Sequence, residues 1–445
     1  MQVFNKISHA QAMVTRLIVK LHLFSALVFF FGCSSVKKLA IEADLARMVS
    51  GSEVFKNELI GFSIYDPYLD KFLLNINEDK YFTPASNVKT FTLYAYLSQN
   101  LNRVPSFAYK LKGDSLILRP LGDPTFLHPD FPDQGAFEAL KKLHNGSIYV
   151  SYPDFEIKPY GSGWAWDDYA FDFQPERSQF PLFGNVITIE KSDSTSVNPN
   201  FFSDFVDFQS SEGIGSLLED ENIFFSTSML SPEDTVIERV PFIQSQELIA
   251  QLLADTLGAE IQFIQFSEYL GDTLYNGSTL PLMALMMQRS DNFLAEQMLY
   301  QSAIFSGKSS IDAYIHSLRN DEMVFLSDSL IWVDGSGLSR YNLVTPRNQV
   351  SLLYRIYRTY DWGLLETLFP NGGKSGTIRN WYGDTEPYVF AKTGTLRHNH
   401  CLSGYLRAKS GKILIFSFMN NHFTQPVEVI KSEMQSLLEN IRDSY

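Results

Sequence analysis

The run Thr90-Phe91-Thr92-Leu93-Tyr94-Ala95-Tyr96-Leu97 constrains the fold more than any other stretch, because it is apolar almost without interruption. A helix with no polar face must be enclosed on every side, so this segment is expected to be a buried helix inside a large core. The chain can build one: of 445 residues 45% are apolar and 14% aromatic, which predicts two or three compact units. Upstream, Leu59 to Tyr65 and Lys71 to Ile76 are strand-like runs joined across Asp66-Pro67-Tyr68-Leu69-Asp70, the chemistry of a β-hairpin. Lys37 to Ser50 reads as a short amphipathic helix.

Several function classes are excluded early. The formal net charge of −14 is spread along the chain, with no Lys or Arg run able to track a phosphate backbone, so nucleic acid is not an expected partner. Two cysteines, Cys33 and Cys401, make no disulfide framework, and Cys401 lies in an apolar strand as a small core residue. No G-x-G-x-x-G fingerprint occurs, and Gly307-Lys308-Ser309 lacks the upstream glycine of a phosphate loop. His398, His400 and His422 have no carboxylate or cysteine at ligand spacing, so neither metal nor other cofactor is expected.

At the N-terminus, Arg16 and Lys20 precede the apolar stretch Leu21 to Phe31, which ends in Gly32-Cys33-Ser34-Ser35. That run is too short for a permanent membrane span and has the layout of a signal peptide, expected over 1–32, which implies an exported chain. Phe30-Phe31-Gly32-Cys33 resembles the lipobox of bacterial lipoproteins, which makes Cys33 the candidate lipidation site and 33–41 a tether to the membrane. The alternative is an ordinary cleaved signal, and Met13 is a second candidate start.

Chemistry concentrates at three places. Ser86 and Lys89 fall on the first turn of the expected buried helix, where residues three apart share a face and the helix N-terminus favours developing negative charge. Lysine can act as a base toward the hydroxyl once burial or a second cation lowers its pKa. The bland alternative for Ser86 is a helix cap, and Ser34 to Lys37 and Ser35 to Lys38 match the same spacing in the tether. Ser290-Asp291-Asn292 breaks two helical segments: Ser290 can relay a proton and Asn292 can offer an amide to a substrate carbonyl and to Lys89. Lys392-Thr393-Gly394 precedes two alternating strands, Leu402 to Ala408 and Lys412 to Phe418, and reads as a sheet edge. There Lys392 supplies positive charge for a carboxylate, Thr393 a donor, and Gly394 room for a substrate backbone. The N–H groups of Ser86 and Thr395 would form an oxyanion hole. Lys374-Ser375-Gly376 is a rival match in a loop, and Asp334-Gly335-Ser336-Gly337 reads as a tight turn supporting the cleft.

In this order the three signatures resemble those of serine β-lactamases and penicillin-binding proteins. Pro84 to Lys89, Leu121-Gly122-Asp123-Pro124-Thr125, Gly163 to Asp168, Ser290 to Glu296, Asp334 to Arg340 and Lys374 to Arg379 are similar to the class C, type-4 penicillin-binding D-alanyl-D-alanine carboxypeptidases, over residues 55 to 420. The resemblance implies an α/β (α+β) fold: a transpeptidase-like domain with an antiparallel sheet flanked by helices, over 42–104 and 276–445, and an inserted accessory region at 105–275, which its own composition reads as mainly β. It implies a Ser86 acyl-enzyme acting on peptidoglycan stem peptides as carboxypeptidase, endopeptidase or both, covalent inhibition by β-lactams, and Asp168 as a receptor for the free amine of a diamino acid. A solvated turn after a packed aromatic pair is the competing reading of Asp168. A β-lactamase, or a non-catalytic peptidoglycan-binding lipoprotein, are the alternative functions.

Overall fold

The computed structural model describes residues 46–191, 195–207, 215–216, 222, 224–225 and 236–445. The signal segment, Cys33, the tether and the first part of the expected Lys37–Ser50 helix lie outside the described residues. Helix α1 (46–50) leads to the hairpin of β1 (Leu59–Asp66) and β2 (Lys71–Ile76), which bulges between Ile64 and Tyr65. A 3₁₀ turn over Ala85–Val88 then runs straight into α2 (Lys89–Leu97), every residue of which is buried. The enclosed helix is therefore present, and it begins at Lys89, one residue ahead of its apolar run.

The chain next builds β3 (Arg103–Lys112), β4 (Ser115–Pro120), α3 (Gly135–Leu143), β5 (Ser147–Val150), β6 (Val186–Lys191), β7 (Thr195–Asn198), β8 (Val206–Asp207), β9 (Gly215–Ser216), β10 (Phe224–Phe225), β11 (Val236–Pro241), α4 (Gln246–Leu257), β12 (Glu260–Phe263) and β13 (Asp272–Ser278). These strands form a five-stranded sheet of order β12-β5-β4-β3-β13 and two three-stranded sheets, β11-β6-β7 and β8-β10-β9. Strands β4, β5 and β12 run parallel, which requires crossovers; α3 supplies one and α4 precedes β12. The short strand-like runs of the sequence did not announce that helical component. One buried cluster draws only on residues between Phe107 and Leu274, with the Phe107 ring edge-on to Phe126 at 4.9 Å and to Phe180 at 5.1 Å.

The rest comprises α5 (Thr279–Arg289), α6 (Asn292–Phe305), α7 (Ile311–Ser317), α8 (Pro346–Thr359), α9 (Trp362–Leu368), β14 (Val389–Leu396), β15 (Asn399–Arg407), β16 (Ile413–Asn421) and α10 (Val427–Ser444). The last three strands join the N-terminal hairpin in a five-stranded antiparallel sheet, β14-β15-β16-β1-β2, with Phe62 opposite Phe418 and their rings stacked at 4.1 Å. Strands β15 and β16 were expected to alternate between core and solvent, but both faces are covered. Cys401, Tyr405, Ile415 and Met419 enter the core around α2, α6 and α8, while Leu402, Leu406, Phe416 and Phe418 meet Ile430, Met434 and Leu438 of α10. Strands buried on both sides are largely apolar, and β16 is so from Ile413 to Met419 except at Ser417, whose hydroxyl accepts from Ser403. The Lys392-Thr393-Gly394 motif lies within β14, an edge strand just ahead of β15 and β16, where the sequence placed a sheet edge. Among the described residues no helix is long and apolar enough to cross a membrane.

Candidate active site

Ser86 sits in the 3₁₀ turn that opens onto α2, after Ala85, whose φ of 48° is unusual for a residue with a side chain. Two glycines clamp this turn. A Cβ at Gly337, where φ is 84°, would stand 2.0 Å from Ala85 O and 3.0 Å from Ser86 N. One at Gly394 would stand 2.4 Å from Pro84 O and 2.9 Å from Asn87 N. Glycine at 394 was expected to admit a substrate backbone; what the structure shows is that the missing side chain lets β14 lie directly against the serine turn. Asn87 ties the same contact, its Nδ2 donating to Lys392 O at 3.1 Å.

Lys89 Nζ donates to Ser86 Oγ at 2.9 Å, to Asn292 Oδ1 at 2.5 Å and to Ser336 O at 2.6 Å. Its side chain is fully buried, and burial lowers its pKa to about 8 against the opposing pull of Asp291, Asp334 and Glu296. With that pKa about a tenth of the amine is neutral at pH 7, and its lone pair can then face the serine hydroxyl.

Ser290 ends α5 in the left-handed region, at φ 61°, and Asp291 caps α6 by accepting from Leu294 N at 2.8 Å. This reversal turns Ser290 and Asn292 toward the same centre. Lys392 Nζ donates to Ser290 Oγ at 2.7 Å and to Thr393 O at 2.8 Å. Lys392 is fully buried; burial first, and then the neighbouring Lys89, hold its pKa well below the usual lysine value. Thr393 Oγ1 donates to Thr377 Oγ1 at 2.7 Å, and Thr395 Oγ1 lies 2.8 Å from His400 Nδ1. Ser86, Ser290, Thr377, Thr393, Thr395 and Lys431 line one cavity of about 230 Å³. Three stretches far apart in sequence thus place a hydroxyl, two amines, an amide and a second serine within hydrogen-bonding reach of one another.

The D-Ala-D-Ala carboxypeptidase 3 (S13) family model matches residues 266–441. D-alanyl-D-alanine carboxypeptidase DacB of Haemophilus influenzae is 30% identical over 175 residues, 37% of this chain and 36% of that protein. The chain thus aligns with little more than a third of that curated relative's length. The solved structure of penicillin binding protein 4 (dacB) from Haemophilus influenzae superposes with a TM-score of 0.69 at 21% identity, covering 90% of this chain and 98% of that one. The same protein complexed with a novel β-lactam gives 0.62 at 20% identity, over 90% and 98%. Over residues 266–441 the chain is similar to the D-Ala-D-Ala carboxypeptidase 3 (S13) family. Its transpeptidase-like fold, an antiparallel sheet flanked by helices, is the one the sequence motifs implied.

Some groups at this centre had no role assigned to them from the sequence. Ser336 acts through its backbone: the carbonyl accepts from Lys89 and the N–H donates to Glu296 Oε1 at 2.7 Å. Glu296 is buried beside Arg177, at 3.5 Å; burial, with Asp334 close by, nonetheless raises its pKa to about 7. The rival Lys374-Ser375-Gly376 match leads into a 3₁₀ turn whose Thr377 reaches the cavity. His400 was weighed only as a metal ligand and set aside, yet it lines the cavity; burial first, and then Lys431 and Lys392, push its pKa down to about 3, so it is neutral. His398 turns elsewhere, its Nδ1 lying 2.9 Å from Phe423 O. Asp168 is half-buried near Arg340 and does not line the Ser86 cavity. The tryptophans before it are no packed pair: Trp164 Nε1 donates to Asp334 Oδ2 at 2.8 Å, while Trp166 is 77% exposed.

Proposed function

We propose that this chain is a serine D-alanyl-D-alanine carboxypeptidase, endopeptidase or both, acting on peptidoglycan stem peptides through a Ser86 acyl-enzyme. The observation that carries the reading is the fully buried Lys89 amine 2.9 Å from Ser86 Oγ. Neutral Lys89 takes the hydroxyl proton as Ser86 Oγ bonds to the carbonyl carbon of the penultimate D-alanine. The Ser86 and Thr395 N–H groups receive the oxyanion. Collapse breaks the peptide bond, and the leaving amine takes a proton passed from Lys89 through Ser290, whose hydroxyl is held by Lys392. Water then adds to the ester and releases Ser86. Asn292 orients both Lys89 and the acyl carbonyl, and Asp168 is assigned to the free amine of a stem diamino acid. Residues 42–104 and 276–445 form the catalytic unit and 105–275 the accessory insert. Export by the 1–32 signal and acylation of Cys33 would hold the enzyme at the periplasmic side of a membrane.

A β-lactam presents a strained amide to the same serine. Incubated with labelled penicillin, the purified protein should acquire one covalent label, and peptide mapping should place it on the Ser86 segment; an unlabelled protein would refute the reading. Cross-linked peptidoglycan fragments, analysed by mass, separate carboxypeptidase from endopeptidase action. Acylation needs the unprotonated amine, so its second-order rate should rise about tenfold per pH unit below pH 8 and level off above it, following the Lys89 pKa of about 8. A rate still climbing at pH 10 would mean that the base is an unperturbed lysine.

A further inference from the structure

Lys431 belongs to none of the three motifs. It lies on α10, at the far end of the chain, yet it lines the cavity that holds Ser86. Its side chain is half-buried, with Nζ over the Trp381 ring, 5.7 Å from the centroid, and among the described residues no carboxylate pairs with it. An unpaired ammonium facing an active-site cavity is conspicuous in a chain of net charge −14.

Lys392 was expected to meet the substrate's carboxylate, but its geometry leaves little for that task. Its Nζ is fully buried and already donates to Ser290 Oγ and to Thr393 O. It also shares the interior with Lys89, and two amines that close cannot both stay charged at low cost. Thr377, Thr393 and Thr395 offer hydroxyls on the same wall but no charge, and His400 is neutral. We propose that the Lys431 ammonium is the cation that receives the substrate's C-terminal carboxylate, with the threonine hydroxyls completing its hydrogen bonds and the Trp381 face steering the lysine. This inference rests on the carboxypeptidase reading and adds a binding residue to it; Lys392 is left to hold Ser290.

The test crosses one substitution with one change of substrate. Diacetyl-lysyl-D-alanyl-D-alanine and its C-terminal amide differ only in the anion. Lys431→Gln should lower kcat/KM for the free acid about ten- to hundredfold, mainly through KM, and leave the amide within about twofold. Lys431→Arg should retain most of the preference for the acid. Equal losses on both peptides, with or without a lower melting temperature, would mark Lys431 as structural; no loss on either would remove it from the site. Wild-type protein that takes no penicillin label would instead sink the functional reading, and the same cycle read as equilibrium binding of the two peptides would still decide the role of Lys431.

Discussion

Lys89→Met is expected to slow acylation of Ser86 by about a thousandfold or more while leaving the protein folded. Methionine keeps the length and apolar stem of lysine but has no proton acceptor of comparable basicity, and loss of a positioned general base costs about 10²–10⁴ in rate. The further loss is geometric. Lys89 Nζ is the shared partner of Ser86 Oγ, Asn292 Oδ1 and Ser336 O, so its removal releases the serine rotamer and the Asn292 amide together. Stability should change far less than activity. Three acceptors lose a donor, of which the fully buried Ser336 carbonyl costs about 1–3 kcal/mol and the part-buried Ser86 and Asn292 oxygens less, but the desolvation of an amine whose charged form burial disfavours is relieved at the same time. Stopped-flow labelling with a fluorescent penicillin, alongside thermal unfolding, separates the two effects. A variant that acylates within tenfold of wild type would mean that another group deprotonates Ser86.

What the sequence disclosed, and what it hid, follows from the range of each interaction. Ser86 and Lys89 were legible because their proximity is set by one helical turn, and the hairpin of β1 and β2 because its turn residues are adjacent. Ser290 and Asn292 were legible for a similar reason: the break between α5 and α6 is local, with Asp291 as its cap. The partners of these groups were not. Ser336 contributes a carbonyl, which any residue possesses, and Glu296 was visible only as one letter within a familiar stretch. Thr377 and Lys431 reach the cavity from loops and helices whose placement depends on the whole sheet, so no spacing rule points to them. Gly394 was read only against a substrate, and its contact with the Pro84–Asn87 turn was not legible because that turn lies more than 300 positions earlier in sequence. The strands β15 and β16 were misjudged as half-exposed since α10, which covers their second face, follows them in the chain and gives them no local mark.

Asp334→Ala should destabilise the protein by about 3–5 kcal/mol, the largest stability loss expected from a single side chain near the site. The carboxylate is fully buried; its Oδ1 accepts from Gly337 N at 2.9 Å and Asn342 Nδ2 at 2.7 Å. Its Oδ2 accepts from Ser339 N at 2.7 Å and Trp164 Nε1 at 2.8 Å. Alanine leaves Gly337 N, Ser339 N and Trp164 Nε1 without this acceptor and Asn342 Nδ2 with Ser339 O alone, and the space is too enclosed by backbone for all of them to find water. Asparagine discriminates between size and charge: it fills the volume, yet its Nδ2 must face either the Ser339 and Trp164 donors or those of Gly337 and Asn342. Asp334→Asn should therefore recover only part of the loss. Activity should fall with stability, because the turn held by Asp334 carries Gly337 against the Ser86 turn and the Ser336 carbonyl that grips Lys89. Thermal unfolding should show Asp334→Ala melting about 4–10 °C below wild type. A shift under about 2 °C would show that the turn keeps its shape without the carboxylate, and that the rigidity of the serine site has another origin.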